Sequence, residues 1–90
     1  MKNKLGLTKK QIDYLLAIDF INRKTSIYNY VNSEDIIIEL ECTKRSYKII
    51  TTKLIRKGLI EKKLKNDRIE YVKFTQIGYK TLCNLFEELY

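Results

Sequence analysis

Apolar positions recur with a helical period over most of the chain. In QIDYLLAIDFI, Ile12, Leu15 and Leu16 form one apolar face and Tyr14, Ile18 and Ile21 another. Thr8 and Gln11 precede this run at capping-box spacing, which predicts a first helix opening there. A helix apolar on two sides needs two neighbours. Its end is open: Thr25, Ser26 and the YNYV run at 28–31 suit fraying, a turn or extended chain equally.

Ser33 is the next cap, followed by Glu34 and Asp35, which the helix dipole favours in a first turn. A short helix over about 34–41 is expected, although the β-branched Ile36-Ile37-Ile38 would also suit a strand. Thr43 caps a third helix. At ~100° per residue its Tyr47, Ile50 and Leu54 fall on one side and Lys44, Arg45, Lys48, Thr52 and Arg56 on the other. Gly58 ends it as the residue after the cap. Ile60 to Leu64 and Ile69 to Phe74, separated by the polar turn Lys65-Asn66-Asp67-Arg68, read as a β-hairpin. Thr75 caps a last helix over about 76–89, with the stripe Leu82, Leu85, Phe86, Leu89 widened by Tyr79, Cys83 and Tyr90. Three helices, a hairpin and a helix make a mostly α chain with a small β-hairpin wing, an α+β winged helix-turn-helix spanning 1–90.

Charge turns this arrangement into a functional reading. The chain carries 18 basic and 11 acidic residues, a net +7. Residues 43–65 hold nine Lys or Arg and one Glu, a net +8, so the whole excess sits on the third helix and the first wing strand. Charge gathered on one folded element is the footprint of a surface that meets a polyanion. Other classes lose support. The chain has no histidine, no proline and three scattered glycines (Gly6, Gly58, Gly78), so it lacks a common general base and a phosphate-cradling loop. No enzymatic activity, no metal and no cofactor are expected. No apolar run is long enough to span a membrane and no signal-peptide core opens the chain, which points to the cytoplasm. Cys42 and Cys83 are expected to be two free thiols.

From Ser33 to Gly78 the chain resembles the MarR-type and PadR-type winged-helix regulators. Thr43-Lys44-Arg45-Ser46-Tyr47 through Leu54-Ile55-Arg56-Lys57-Gly58-Leu59-Ile60 is similar to a recognition helix ending in L-x-x-K-G-L-I. Asn66-Asp67-Arg68 is similar to a D-x-R wing tip, and Phe74-Thr75-Gln76-Ile77-Gly78 to an L-T-x-x-G helix start. Glu41 stands where the family turn has a small residue or glycine. The chain starts at the family's second helix and stops one helix after the wing, a reduced plan similar to small phage and plasmid proteins.

The resemblance implies sequence-specific binding of double-stranded DNA by a homodimeric transcriptional regulator. The helix over 43–57 would enter the major groove and the wing over 60–74 would lie on the minor groove or backbone. Lys44, Arg45, Ser46 and Lys48 would occupy the half of that helix in the groove, where Arg45 and Lys48 could reach guanine edges and Ser46 a base or phosphate. Thr52 and Lys53 would touch backbone. Lys62, Lys63 and Lys65 would add phosphate contacts, with edge-strand protection as their competing role. Arg68 would enter a narrow minor groove or simply turn the hairpin. Tyr14, Ile18 and Ile21 on the first helix are expected to meet Leu82, Leu85, Phe86 and Leu89 of a second copy, against the plainer alternative that the last helix folds onto the first. Two other roles stay open: a plasmid or phage partition adaptor working with an NTPase, and a protein-interaction module that has lost DNA binding. Cys42, just before the recognition-helix cap, suits a small buried side chain better than a redox switch.

Overall fold

Local signals decide where most elements begin. In the computed structural model, which describes residues 6–25, 30–65 and 68–89, Thr8 and Gln11 form the reciprocal capping box. The Gln11 Oε1 accepts from the Thr8 amide at 3.1 Å and the Thr8 Oγ1 accepts from the Gln11 amide at 3.2 Å. Helix α1 follows over Lys9–Thr25. Thr43 caps α3 (Lys44–Arg56) by accepting from the Ser46 amide at 3.1 Å. Thr75 caps α4 (Gln76–Leu89) by accepting from the Gly78 amide at 2.9 Å.

The second helix departs from expectation at its start. Helix α2 covers Ser33–Leu40, and its cap is Asn32, not Ser33: the Asn32 Oδ1 accepts from the Glu34 amide at 2.9 Å. The reason lies in the preceding strand. Val31–Asn32 form β1, pairing antiparallel with Val72 and Tyr71 of β3 (Ile69–Phe74). Asn32 closes the strand and opens the helix in one step, and Ser33 is buried behind it. The triple isoleucine is helical because its three side chains meet graded surroundings: Ile36 is fully buried, Ile37 packs partly against the core, and Ile38 is 71% exposed.

Two helices end on the same device. The Gly58 amide donates to the Ile55 carbonyl at 2.9 Å and the Leu59 amide to the Leu54 carbonyl at 3.1 Å, a Schellman closure with Gly58 at φ 75°. After α2, the Glu41 amide donates to the Ile38 carbonyl at 3.1 Å and the Cys42 amide to the Ile37 carbonyl at 3.2 Å, with Glu41 at φ 51°. A residue with a Cβ carries a cost of order 1 kcal/mol in that left-handed conformation.

Strand β2 (Ile60–Lys65) and β3 form the wing hairpin, and β1 extends it to a three-stranded sheet in the order β1-β3-β2. Asn66 and Asp67 of the wing tip lie outside the described residues. One apolar cluster joins all layers: Tyr14, Leu15 and Ile18 of α1, Ile36 of α2, Tyr47, Ile50 and Leu54 of α3, Ile60 and Val72 of the sheet, and Leu82 and Leu85 of α4. Cys42 is half-buried against it, and both Cys42 and Cys83 are free thiols.

Candidate nucleic-acid interface

Helix α3 is held on one side and free on the other. Its Tyr47, Ile50, Thr51 and Leu54 are buried, whereas Lys44, Arg45, Lys48, Thr52, Lys53 and Arg56 are exposed and Ser46 is half-buried. A polar chain fixes its roll and ties it to the wing. Thr51 Oγ1 donates to the Tyr47 carbonyl at 2.7 Å, which leaves it to accept from the Tyr14 hydroxyl at 2.8 Å. The rings of Tyr14 and Tyr47 stack at 5.8 Å. The Tyr47 hydroxyl donates to Glu70 Oε2 of β3 at 2.6 Å, and Glu70 Oε1 pairs with Lys62 of β2 at 3.3 Å.

Both phenols stay protonated at neutral pH. Burial, partly offset by hydrogen bonding with Thr51 and Tyr47, pushes Tyr14 up to about 12. Burial, then the neighbouring Tyr14 and the bond to Glu70, raise Tyr47 further. Tyr47 is therefore a structural donor and has no free face for a base.

Two clefts flank the free side of α3. On the wing side, Lys44 and Lys48 share a cleft with Leu64 and Arg68, and Glu34 and Glu70 also line it. On the other side, Ser46, Ile49 and Lys53 share a cleft with Thr8, Lys9 and Lys10 at the start of α1. Lys9 and Lys10 were invisible as site residues in the sequence, because nothing local connects the opening of the first helix to the third. Ile49 was equally hidden among the cations.

The wing lysines do not act as a row. Successive strand residues point to opposite faces, so Lys62 lies with Glu70 on the side of Tyr47, neutralised by that ion pair. Lys63 lies on the outer face, its Nζ 5.7 Å from the centre of the Tyr30 ring. Lys73 approaches the same ring at 4.9 Å and pairs with Glu61 at 3.2 Å. Arg68 is exposed at the hairpin turn, and the side chain of Lys65 lies outside the described residues. Thr52 donates its hydroxyl to the Lys48 carbonyl of its own helix at 2.8 Å.

The expected dimerisation residues need correction. Tyr14 and Ile18 have no exposed surface, and Leu82 and Leu85 are 1% exposed each. These four form the chain's own core and have nothing left to offer a partner. The last helix folds onto the first: Phe86 packs against the core with the Arg23 guanidinium 5.6 Å from its ring centre, and Arg23 also pairs with Asp19 at 3.0 Å. Ile21 and Phe86 are half-buried, and the side chain of Leu89 is outside the described residues. What remains outward on this side is a cleft containing Leu16, Phe20 and Phe86, with Phe20 51% exposed, rimmed by Asp13 and Glu39. The distinction is measurable. Leu85→Ala is expected to cost about 2–5 kcal/mol, the range for a leucine truncated in a packed core. The deficit, read by chemical denaturation, should be the same at every protein concentration. A deficit that vanishes on dilution would restore Leu85 to an interface.

Three helices with an antiparallel wing, the third helix free on its cationic side, define a winged-helix fold. Solved structures share it. The chain matches MepR of Staphylococcus aureus in its complex with DNA, at 20% identity over 96% of this chain and 62% of that one, with a TM-score of 0.77. It also matches MepR as the transcription regulator of the multidrug efflux pump MepA, at 20% identity over 96% and 62% with a TM-score of 0.74. A candidate DNA-binding protein of Ralstonia eutropha JMP134 matches at 17% identity over 90% of this chain and 99% of that one, with a TM-score of 0.75. Across the MepR structures the chain spans 56% to 63% of the other chain's length. No family model and no curated protein sequence matches. The winged-helix architecture implied by the resemblance to MarR-type regulators is thus present. Among the described residues there is no group of potential metal ligands and no helix long and apolar enough to cross a membrane.

Proposed function

We propose that this chain binds double-stranded DNA sequence-specifically as a homodimer and regulates transcription, with α3 in the major groove and the wing on the minor groove or backbone. The observation that carries the reading is the exposed cationic side of α3, flanked on both sides by clefts that bring in further cations, Lys9 and Lys10 from α1 and Arg68 from the wing. A recognition helix anchored by Tyr47 and Leu54 can present Arg45 and Lys48 to base edges without losing its roll. The solved complex of MepR with DNA, which shares the fold, supports the same use of it.

A homodimer would place two such helices on a two-fold site. With four of the earlier candidates committed to the core, the cleft around Phe20, Leu16 and Phe86 is the surface we assign to the partner copy, with Ile21 beside it and Ile38 as the next candidate.

The test separates readout from attraction. Arg45→Ala is expected to cost about 1–3 kcal/mol on the preferred duplex and much less on random sequence. Lys53→Ala, which changes only a backbone-type contact, should weaken both alike. Equal losses on both duplexes for Arg45→Ala would show that α3 does not read bases.

A further inference from the structure

Ile49 stands where packing does not ask for an apolar side chain. Around α3, at ~100° per residue, it lies about 40° from Arg45, about 20° from Arg56, and about 100° or more from each of Tyr47, Ile50 and Leu54 on the buried side. It is 50% exposed, and the cleft it lines brings together the cationic Lys9, Lys10 and Lys53. A β-branched residue at an exposed helical position is also a poorer helix former than the lysines around it. Folding therefore gains little from isoleucine at this position, while a surface meant only to attract phosphate would gain more from another cation.

We propose that Ile49 is a specificity-determining residue that packs against the C5-methyl group of a thymine in the major groove. The inference rests on the DNA-binding reading above and adds a base to it. The thymine methyl is the one apolar group that base edges present in that groove. An apolar side chain set among arginine and lysine gains on meeting it and loses on covering an unpaired donor or acceptor. Arg45, one turn earlier on the same side, holds the helix in the groove at the depth where a base edge comes within reach of Ile49.

The probe is the tightest-binding duplex that the wild-type protein recovers from a randomised library. Each thymine in it is replaced singly by deoxyuridine, which removes the methyl group and nothing else. One replacement is expected to weaken wild-type binding about fourfold, equivalent to the ~0.8 kcal/mol of one buried methyl group. Ile49→Ala should weaken binding to the unmodified duplex by at least that factor, with an unchanged melting temperature, and should no longer sense that replacement. Ile49→Val should still sense it. Silence of every deoxyuridine duplex, or an Ile49→Ala protein as sensitive as wild type, overturns the assignment. The salt dependence of the same wild-type titrations keeps the two readings apart. A steep slope with silent deoxyuridine duplexes leaves DNA binding standing and removes the role of Ile49, and a library that yields no bound duplex overturns both.

Discussion

Raising monovalent salt from about 50 to about 200 mM is expected to weaken duplex binding by about 10³- to 10⁵-fold, the loss for six to ten phosphate contacts. The cause is counterion release: each phosphate neutralised by Lys or Arg frees condensed cations, and added salt opposes that release. Each chain can supply several such contacts from Lys44, Lys48, Lys53 and Arg68, with Lys9 and Lys10 added by the fold. Lys62 contributes least, since Glu70 already pairs with it. Over a dimer the logarithm of the association constant should fall against the logarithm of salt with a slope of about −5 to −9. Fluorescence anisotropy with a labelled duplex measures it, and random-sequence DNA should show a comparable slope at lower affinity. A slope near zero would remove the DNA-binding reading and favour a protein-interaction module, because only a polyanion holds condensed counterions to release.

Gly78→Ala is expected to destabilise the protein by about 3 kcal/mol or more, at or above the top of the usual range for overpacking. Gly78 lies in the first turn of α4, pressed against the loop that ends α3. A Cβ built there would stand 1.7 Å from the Leu59 carbonyl oxygen and 2.7 Å from its carbon. Those atoms are backbone and are held from both sides. The Leu59 carbonyl accepts from the Thr75 amide at 3.1 Å, and the Thr75 hydroxyl donates to the Gly58 carbonyl at 2.5 Å while accepting from the Gly78 amide at 2.9 Å. The added methyl must therefore push α4 away from the end of α3. A domain of 90 residues has of order 5–13 kcal/mol of stability, so the melting temperature should fall by ~12 °C or more. Circular dichroism melting checks this. Gln76→Ala, exposed in the same turn, is the control and should stay within about 0.5 kcal/mol of the parent. A Gly78→Ala protein as stable as that control would show that α4 does not lie against the loop. The consequence reaches the site, since this corner and the Tyr47–Glu70–Lys62 chain both help to fix α3 relative to the wing.

Sequence alone determined what is written in neighbouring residues. The Thr8–Gln11 box, the Thr43 and Thr75 caps and the Gly58 stop each depend on groups within one turn, and each is where the pattern placed it. The split of α3 into a buried and a cationic side follows from its period of about 3.6 residues, and the hairpin from two short extended runs around a polar turn. The tertiary structure decided everything that needed a distant partner. Strand β1 is two residues long and exists because β3 offers it a free edge some forty residues later. Asn32 displaces Ser33 as a cap for that reason. Tyr14, Ile18, Leu82 and Leu85 showed in sequence only that they were apolar; whether they met their own chain or a second copy depended on how α1 and α4 docked, and they proved to be core. Lys62 and Lys63 are adjacent in sequence, yet the pleat sends one to Glu70 and the other to Tyr30. Lys9 and Lys10 joined Ile49 and Lys53 only when α1 packed beside α3. Caps and periodicity act over a turn and are read directly, whereas the pairing of faces is settled by which apolar surfaces exclude water together, and one chain carries more such surfaces than its pattern can match.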